Sequence, residues 1–380
     1  MRKRQFLVML GGGVLLSAAA GASTFLATRT PGSALQPWRD AGSLYEEPRR
    51  RALSWAILAP NPHNRQPWLV ELVGDDTVVL RVDTNRMLPH TDPFNRQITI
   101  GLGCFLELMT MAAAEDGYRL ETELFPEGED ADGLDARPVA RIRFIADAMV
   151  EADPLFAYAM DRRSLKEPYD LARVVPDDVL TTLKGIGQHG NSIGASGDPD
   201  DVAALRDLTH RALDIEIRTP HTYKESVDLF RIGKAEIEAN PDGIDFGGPL
   251  FDTLAVFGQF TREAALDTSS IVYQQGIDAV MANADTAMAH VWLISSGNSR
   301  PDQIAVGRDW LRINLAATSA GVGLHPLSQA LQEFPEMADC YVEVHQRLAP
   351  TGGTVQMLAR LGYAAPVAPS PRWPLAAKLT

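Results

Sequence analysis

The sequence predicts an α+β chain built as two similar lobes that together form an internal pseudo-dimer. Three observations carry that expectation. The chain has 380 residues, more than the ~100–200 of an average domain and enough for two. A pattern recurs at an offset of 204 residues: Gly103-x7-Met111-Ala112-Ala113-x3-Gly117 against Gly307-x7-Leu315-Ala316-Ala317-x3-Gly321. Each copy reads as a helix whose small residues allow close packing and whose last Gly suits a left-handed C-terminal position. Each copy is also followed by strand-like stretches, 120–124 and 140–144 in the first half, 324 onward and 356–362 in the second. The offset is far too long for a solenoid repeat.

Composition narrows the function. Hydrophobic residues make up 45% and charged residues 22% of the chain, and the 25 Pro and 30 Gly are too few for a disordered or collagenous protein. With 35 Lys and Arg against 49 Asp and Glu, the net charge is −14. Binding a phosphate backbone needs the opposite balance, so no nucleic-acid partner is expected. The two cysteines, Cys104 and Cys340, form neither a CxxC motif nor a disulfide framework. The 8 histidines lie at least 11 positions apart, so no local metal pair exists and no metal is expected.

Residues 1–22 read as a signal peptide. Lys3-Arg4-Gln5-Phe6-Leu7 resembles the twin-arginine export signal, with Lys in place of the first Arg. An apolar run of about 15 residues follows, short of the ~20 of a membrane span, and Ala20-Gly21-Ala22 is a small-x-small cleavage pattern. The expected location is therefore periplasmic or otherwise extracytoplasmic, reached through the export machinery. An uncleaved anchor in the inner membrane is the other reading, because residues 24–27 extend the run. Residues 23–44, with Pro31, Gly32, Ser33, Pro37, Gly42 and Ser43, read as a linker. The first lobe is expected over 45–150 and the second over 151–380.

Within the first lobe the pattern predicts a helix over 47–58. Ala59-Pro60-Asn61-Pro62-His63-Asn64-Arg65-Gln66-Pro67-Trp68 follows, a Pro-broken loop that no helix can cross. A hairpin is expected over 69–73 and 78–82, turning at Gly74-Asp75-Asp76, then an apolar helix over 98–118. The second lobe carries an insert at 218–258, with Pro220, Asn240-Pro241-Asp242-Gly243 and Gly247-Gly248-Pro249. It has no counterpart in the first half and reads as a long irregular lid.

Several familiar chemistries are absent. Gly190-Asn191-Ser192-Ile193-Gly194 matches the GxSxG nucleophile pattern, but Gly185 and Gly187 precede it and Gly197-Asp198-Pro199 follow, where a buried strand and a helix are required. Gly101-Leu102-Gly103 lacks the third glycine of a dinucleotide fingerprint, and no phosphate-loop motif occurs.

What remains resembles a flavoprotein. The loop 59–68 resembles the APSxxNxQPW loop of the FMN-dependent nitroreductase family, with Asn61 where Ser is usual. Arg162-Arg163-Ser164-Leu165-Lys166 resembles that family's RRSxR motif, ending in Lys. Arg360-Leu361-Gly362-Tyr363 and Pro371-Arg372-Trp373-Pro374 resemble its closing segment. The closest pattern is the two-lobed, single-chain Acg-type subgroup, supported by Asp83-Thr84-Asn85-Arg86, Asp92-Pro93-Phe94-Asn95-Arg96, and Gly307-Arg308-Asp309-Trp310, read as the start of the second repeat helix. The resemblance spans most of 47–380 and implies a nitroreductase-like fold.

The resemblance also implies a site. Each of the family's two hallmark motifs occurs once, the Asn-Pro-His-Asn loop in the first half and Arg-Arg-Ser in the second. One complete site can then form across the lobes, so one FMN per chain is expected, in a monomer whose lobes replace the two subunits of ordinary members. Arg162, Arg163, Ser164, Lys166 and Arg372 suit a phosphate dianion. Asn61, His63, Asn64 and Gln66 would face the ribityl chain and ring edge, with Gln66 and Trp68 also able simply to fix the loop. Leu327 and Ser328 would face flavin N5 through the backbone of 326–329. Hydride chemistry is carried by the flavin, so no catalytic side chain is expected. Asp92 and Arg96 are expected to brace one another. The implied activity is transfer of hydride to a small electron-poor substrate, with NAD(P)H as a possible donor. The other reading is a non-catalytic protein that binds or sequesters FMN under its lid; a weaker third is a scaffold without flavin.

Overall fold

The computed structural model describes residues 30–380. The expected export signal and the start of the expected linker lie outside the described residues. The first half opens with helices α1 (Gln36–Asp40) and α2 (Pro48–Ala56). The Glu47 carboxylate accepts from the N–H groups of Arg49 and Arg50 to start α2, and Pro48 takes the first helical position, where its missing N–H is harmless. The hairpin of β1 (Trp68–Val73) and β2 (Thr77–Val82) turns at Gly74, φ 54°. Helix α3 (Arg96–Glu115), β3 (Tyr118–Leu124) and β4 (Pro138–Ala146) complete an antiparallel sheet of order β1-β2-β4-β3.

The second half repeats the scheme around a large interruption. Helix α4 (Asp177–Lys184) and β5 (Ser192–Ser196) are followed by α5 (Pro199–Arg218), α6 (Pro220–Asp228), β6 (Phe230–Ile232), α7 (Gly233–Ala239), β7 (Ile244–Phe246), α8 (Pro249–Val256), α9 (Arg262–Leu266) and α10 (Ile271–Asp285). Then come β8 (Ala289–Ser295), α11 (Arg300–Ser319), β9 (Gly323–Pro326), α12 (Ala338–Leu348) and β10 (Thr354–Gly362). The second antiparallel sheet has order β5-β8-β10-β9, position for position the order of the first. The exposed Ser192 opens a strand, not the strand-to-helix elbow a GxSxG nucleophile requires.

The repeated helices form the centre. α3 and α11 each run 20 residues, and the glycines that follow them, Gly117 and Gly321, have φ of 76° and 67°. Gly103 and Gly307 meet at the crossing with their Cα atoms in contact, and a Cβ on either would strike the backbone of the facing helix. Apolar residues of both helices and both sheets share one core, among them Leu102, Phe105, Trp310, Leu311, Val70 and Ala359.

Three expectations are corrected. The insert is longer than 218–258: β1 and β2 join through a tight turn, whereas β5 and β8 are separated by residues 197–288. It is also ordered into helices and a parallel pair, β6 with β7. Pro220 and Pro249 stand at helix starts, and Gly233, Gly243 and Gly248 have positive φ, so the breakers punctuate short elements without abolishing them. Residues 30–44 do not behave as a linker: Ala34 and Trp38 are buried, and the Trp38 indole N–H donates to Ser370 O at 2.8 Å. Finally, α11 starts at Arg300 behind a Ser299/Asp302 capping box, so Gly307 lies mid-helix.

Two segments cross between the halves and fix the site. The chain after Asp161 runs along the free edge of β9, where Ser164 bridges Leu324 and Leu165 N donates to Leu324 O at 2.9 Å. The C-terminal tail returns to the free edge of β1, where Val70 N donates to Lys378 O at 2.8 Å.

Candidate functional site

The loop 59–68 is built from strained backbone. His63, Asn64 and Gln66 all have left-handed φ, of 47°, 51° and 49°. Such conformations of non-glycine residues cost about 1–3 kcal/mol each and gather at functional sites. Asn61 stabilises the turn from within: its Oδ1 accepts from Gln66 N at 2.7 Å and its Nδ2 donates to Ala59 O at 3.1 Å. Its amide therefore folds the loop. Gln66 is fully buried, and its Nε2 donates to Pro241 O at 2.7 Å while its Oε1 accepts from Trp373 N at 2.9 Å. Trp68 is core. Asn64 faces the C-terminal tail, with Nδ2 donating to Pro371 O at 3.0 Å and Oδ1 accepting from Arg372 Nη1 at 2.5 Å. The His63 Nε2 lies 3.2 Å from Ser226 Oγ of the insert, and its Nδ1 is buried with no partner. Burial and the charges of Lys166 and Arg65 push His63 down to about 4, so it is neutral at physiological pH.

Beside this loop the structure gathers four cations from distant parts of the chain. Arg162 donates to Leu58 O at 3.3 Å, and Arg372 donates to the same oxygen at 3.2 Å and to Ala59 O at 3.3 Å. Arg163 donates to the carbonyls of Met160 and Arg162, and both Arg163 and Arg372 lie over the Trp38 ring, at 4.8 and 5.5 Å. Every acceptor these three guanidiniums use is a carbonyl or amide oxygen. Among the described residues, neither they nor Lys166 form an ion pair with a carboxylate. The Nε atoms of Arg163 and Arg372 are buried without a partner. Burial, with mutual repulsion, pulls Arg162 down to about 10 and Arg372 to about 9. Removing cations from water without a counter-charge is unfavourable, so the cluster is suited to an anion.

Lys166 and Asp245 keep accessible surface although protein surrounds them and burial dominates their electrostatics, lowering Lys166 and raising Asp245. Each acts on the other's charge, and Asp245 also acts on Arg372. The insert closes over the loop through Gln66–Pro241, His63–Ser226 and Gly243 N to Asn64 O at 3.3 Å. Asp242 ties it down by accepting from Arg86 and from Arg231, the latter at 2.7 Å. Glu225 accepts from the backbone N–H groups of His90 and Thr91, both at 2.9 Å.

The remaining expected residues divide. Leu327 is buried, and its N–H is committed to Leu358 O at 2.9 Å, so it has none left for a ring edge. The Ser328 hydroxyl bridges the backbone of Leu358, donating at 3.0 Å and accepting at 3.1 Å. Asp92 and Arg96 do not pair: Asp92 accepts from Gln97 N and Ile98 N at the start of α3, while Arg96 reaches Gln356 O and Leu331 O at 2.6 and 2.8 Å in the other half. Trp38, Asp242 and Asp245 were missed. For Trp38 the available signal was a lone aromatic in a polar stretch. The acids carried no local pattern, because the fold alone brings them in.

The chain is similar to several known proteins. No protein-family model matches the chain. It is 31% identical over 122 residues to the “Putative NAD(P)H nitroreductase acg” of Mycobacterium tuberculosis; the match covers 32% of this chain and 37% of that relative's length. It is 24% identical over 329 residues to a second “Putative NAD(P)H nitroreductase” of the same organism, covering 85% of this chain and 88% of the relative. Among solved structures it aligns with a nitroreductase of Anabaena variabilis described as putative, at 12% identity, 93% coverage of each chain and a TM-score of 0.43.

Proposed function

We propose that the chain is an FMN-binding oxidoreductase of the nitroreductase family, of the two-lobed Acg-type subgroup, that reduces a small electron-poor substrate. The observation that carries this reading is the cluster of Arg162, Arg163, Lys166 and Arg372: cations from two distant parts of the sequence, none paired with a carboxylate among the described residues, beside the strained loop. The residues fit a phosphate dianion, since partnerless Nε donors on Arg163 and Arg372 match what its oxygens accept. Ser164 adds a hydroxyl. The neutral His63, with one nitrogen unpartnered, and Asn64 would face the ribityl chain and ring. Bound there, the flavin would supply hydride transfer at N5, and the protein would supply orientation and electrostatics. Matched strand orders and the Gly103–Gly307 contact support reading the lobes as the two subunits of a dimer joined into one chain. On that reading the protein is a monomer, exported through its N-terminal signal and using NAD(P)H or another donor.

A second reading, an FMN-sequestering protein, is favoured by one observation: the insert contacts the loop directly through Pro241, Ser226 and Gly243. A visible spectrum of the purified protein, before and after anaerobic NADPH, separates the two. Flavin bands that bleach support the oxidoreductase; bands that persist with every donor support sequestration. Failure to take up added FMN would overturn both.

A further inference from the structure

Trp38 stands on α1, ahead of the first lobe. Two hydrogen bonds stitch this segment to the C-terminal tail. The Trp38 indole N–H donates to Ser370 O and Arg372 N donates to Ala34 O, both at 2.8 Å. Trp38 is buried, and its ring centre lies 4.8 Å from the Arg163 guanidinium carbon and 5.5 Å from that of Arg372. Among the described residues, the side-chain hydrogen bonds of Arg163 reach only the carbonyls of Met160 and Arg162, beside it in the chain. The ring therefore ties the charge of Arg163 to the rest of the fold.

The kind of partner decides what a guanidinium can still bind. A carboxylate beside these arginines would neutralise their charge and take up donors at the guanidinium edge. An aromatic face attracts the cation through its quadrupole and takes no N–H donor in that way. Arg163 and Arg372 accordingly keep their charge, and each keeps a buried Nε donor with no acceptor.

We propose that Trp38 is a positioning residue for the cofactor phosphate: its ring holds Arg163 and Arg372 while leaving their charge and edge donors to the anion. The inference rests on the flavin reading. On it, the segment ahead of the first lobe is part of the binding site.

Site-specific fluorination of Trp38 tests this in the full chain. Fluorine drains the negative face of the ring with little change of shape, so the fold is kept. FMN affinity, read by flavin fluorescence, should fall stepwise from tryptophan through its monofluoro and difluoro forms to tetrafluorotryptophan. The total loss should be about tenfold, the scale of cation–π contacts to desolvated cations. At saturating FMN the phosphorus resonance of the bound cofactor should move with fluorination. The visible spectrum, set by the flavin ring, should stay fixed. Trp38→Leu should lose affinity at least as far, and Trp38→Phe should recover part of it. Affinity indifferent to fluorination and to Trp38→Leu would overturn the proposal. So would a visible spectrum that shifts together with the phosphorus resonance, the mark of a merely structural role. An unsubstituted chain that takes up no FMN would instead overturn the reading beneath it.

Discussion

Arg162 and Arg372 stand 210 positions apart and converge on one carbonyl oxygen, that of Leu58. Arg372 also reaches Ala59 O, Pro371 O and Asn64 Oδ1, but all of these acceptors are neutral and do not balance the charge of two desolvated guanidiniums. Truncating either should therefore cost ligand affinity more than fold stability. With charge-assisted hydrogen bonds worth ~1.5–3 kcal/mol, Arg372→Ala or Arg162→Ala paired with Ser164→Ala should weaken FMN binding by at least about tenfold in a fluorescence titration. Flavin retained at wild-type affinity would refute the assignment. Glu216 makes a separate prediction about pH. Burial holds its folded value, about 7, above the ordinary 4.5. The stability it contributes is therefore present below about 4.5 and lost as pH rises through about 7. Glu216→Gln should therefore remove a loss of melting temperature between pH 5 and 8 that the unsubstituted flavin-free protein shows relative to it, and parallel pH profiles of the two would refute this. At this scale the motif residues were legible but their tasks only partly so. Asn61 spends its amide on its own loop and Leu327 its N–H on Leu358, commitments set by neighbours that local sequence does not encode.

Helices α3 and α11 were the most legible elements, because their pattern of small residues is local and repeated. The meeting of Gly103 and Gly307 gives that pattern its physical reason. Gly307→Ala pushes a methyl into the facing backbone at a site with no room to relax. Overpacking of this kind typically costs about 1–3 kcal/mol, so urea unfolding should lose that much. A smaller loss would mean that the helices slide apart easily. The insert was the least legible element. Its prolines and glycines read as disorder of pattern, yet they bound short helices and a parallel pair whose partners are distant in sequence. Asp242 is its main tether, accepting from Arg86 and Arg231 and close to Arg65. Asp242→Ala should raise the rate of limited proteolysis within 219–258 and speed flavin exchange together. Faster cleavage with unchanged exchange would show that the insert does not cover the cofactor.

The whole molecule is asymmetric in a way that bears on the proposed stoichiometry. Its two sheets repeat one strand order, and its two long helices cross at equivalent glycines. A dimer of identical subunits with that arrangement would present two equivalent sites. Here the equivalence is broken three times. The β1–β2 connection is a tight turn in the first half and spans 197–288 in the second. The Arg-Arg-Ser segment lines only the edge of β9, and the tail carrying Arg372 lines only the edge of β1. All four cations consequently fall on one side of the pseudo-symmetric pair. The expected result is one FMN per chain at saturation, measured by flavin absorbance against protein concentration, from a species whose light-scattering mass is that of a single chain. Two flavins per chain would require a second anion site that the cation cluster does not provide. One flavin per two chains, with a doubled mass, would mean that the lobes do not replace a partner subunit. The first outcome would reject the single cross-lobe site and the second the internal pseudo-dimer, even if the protein proved to be a flavoenzyme.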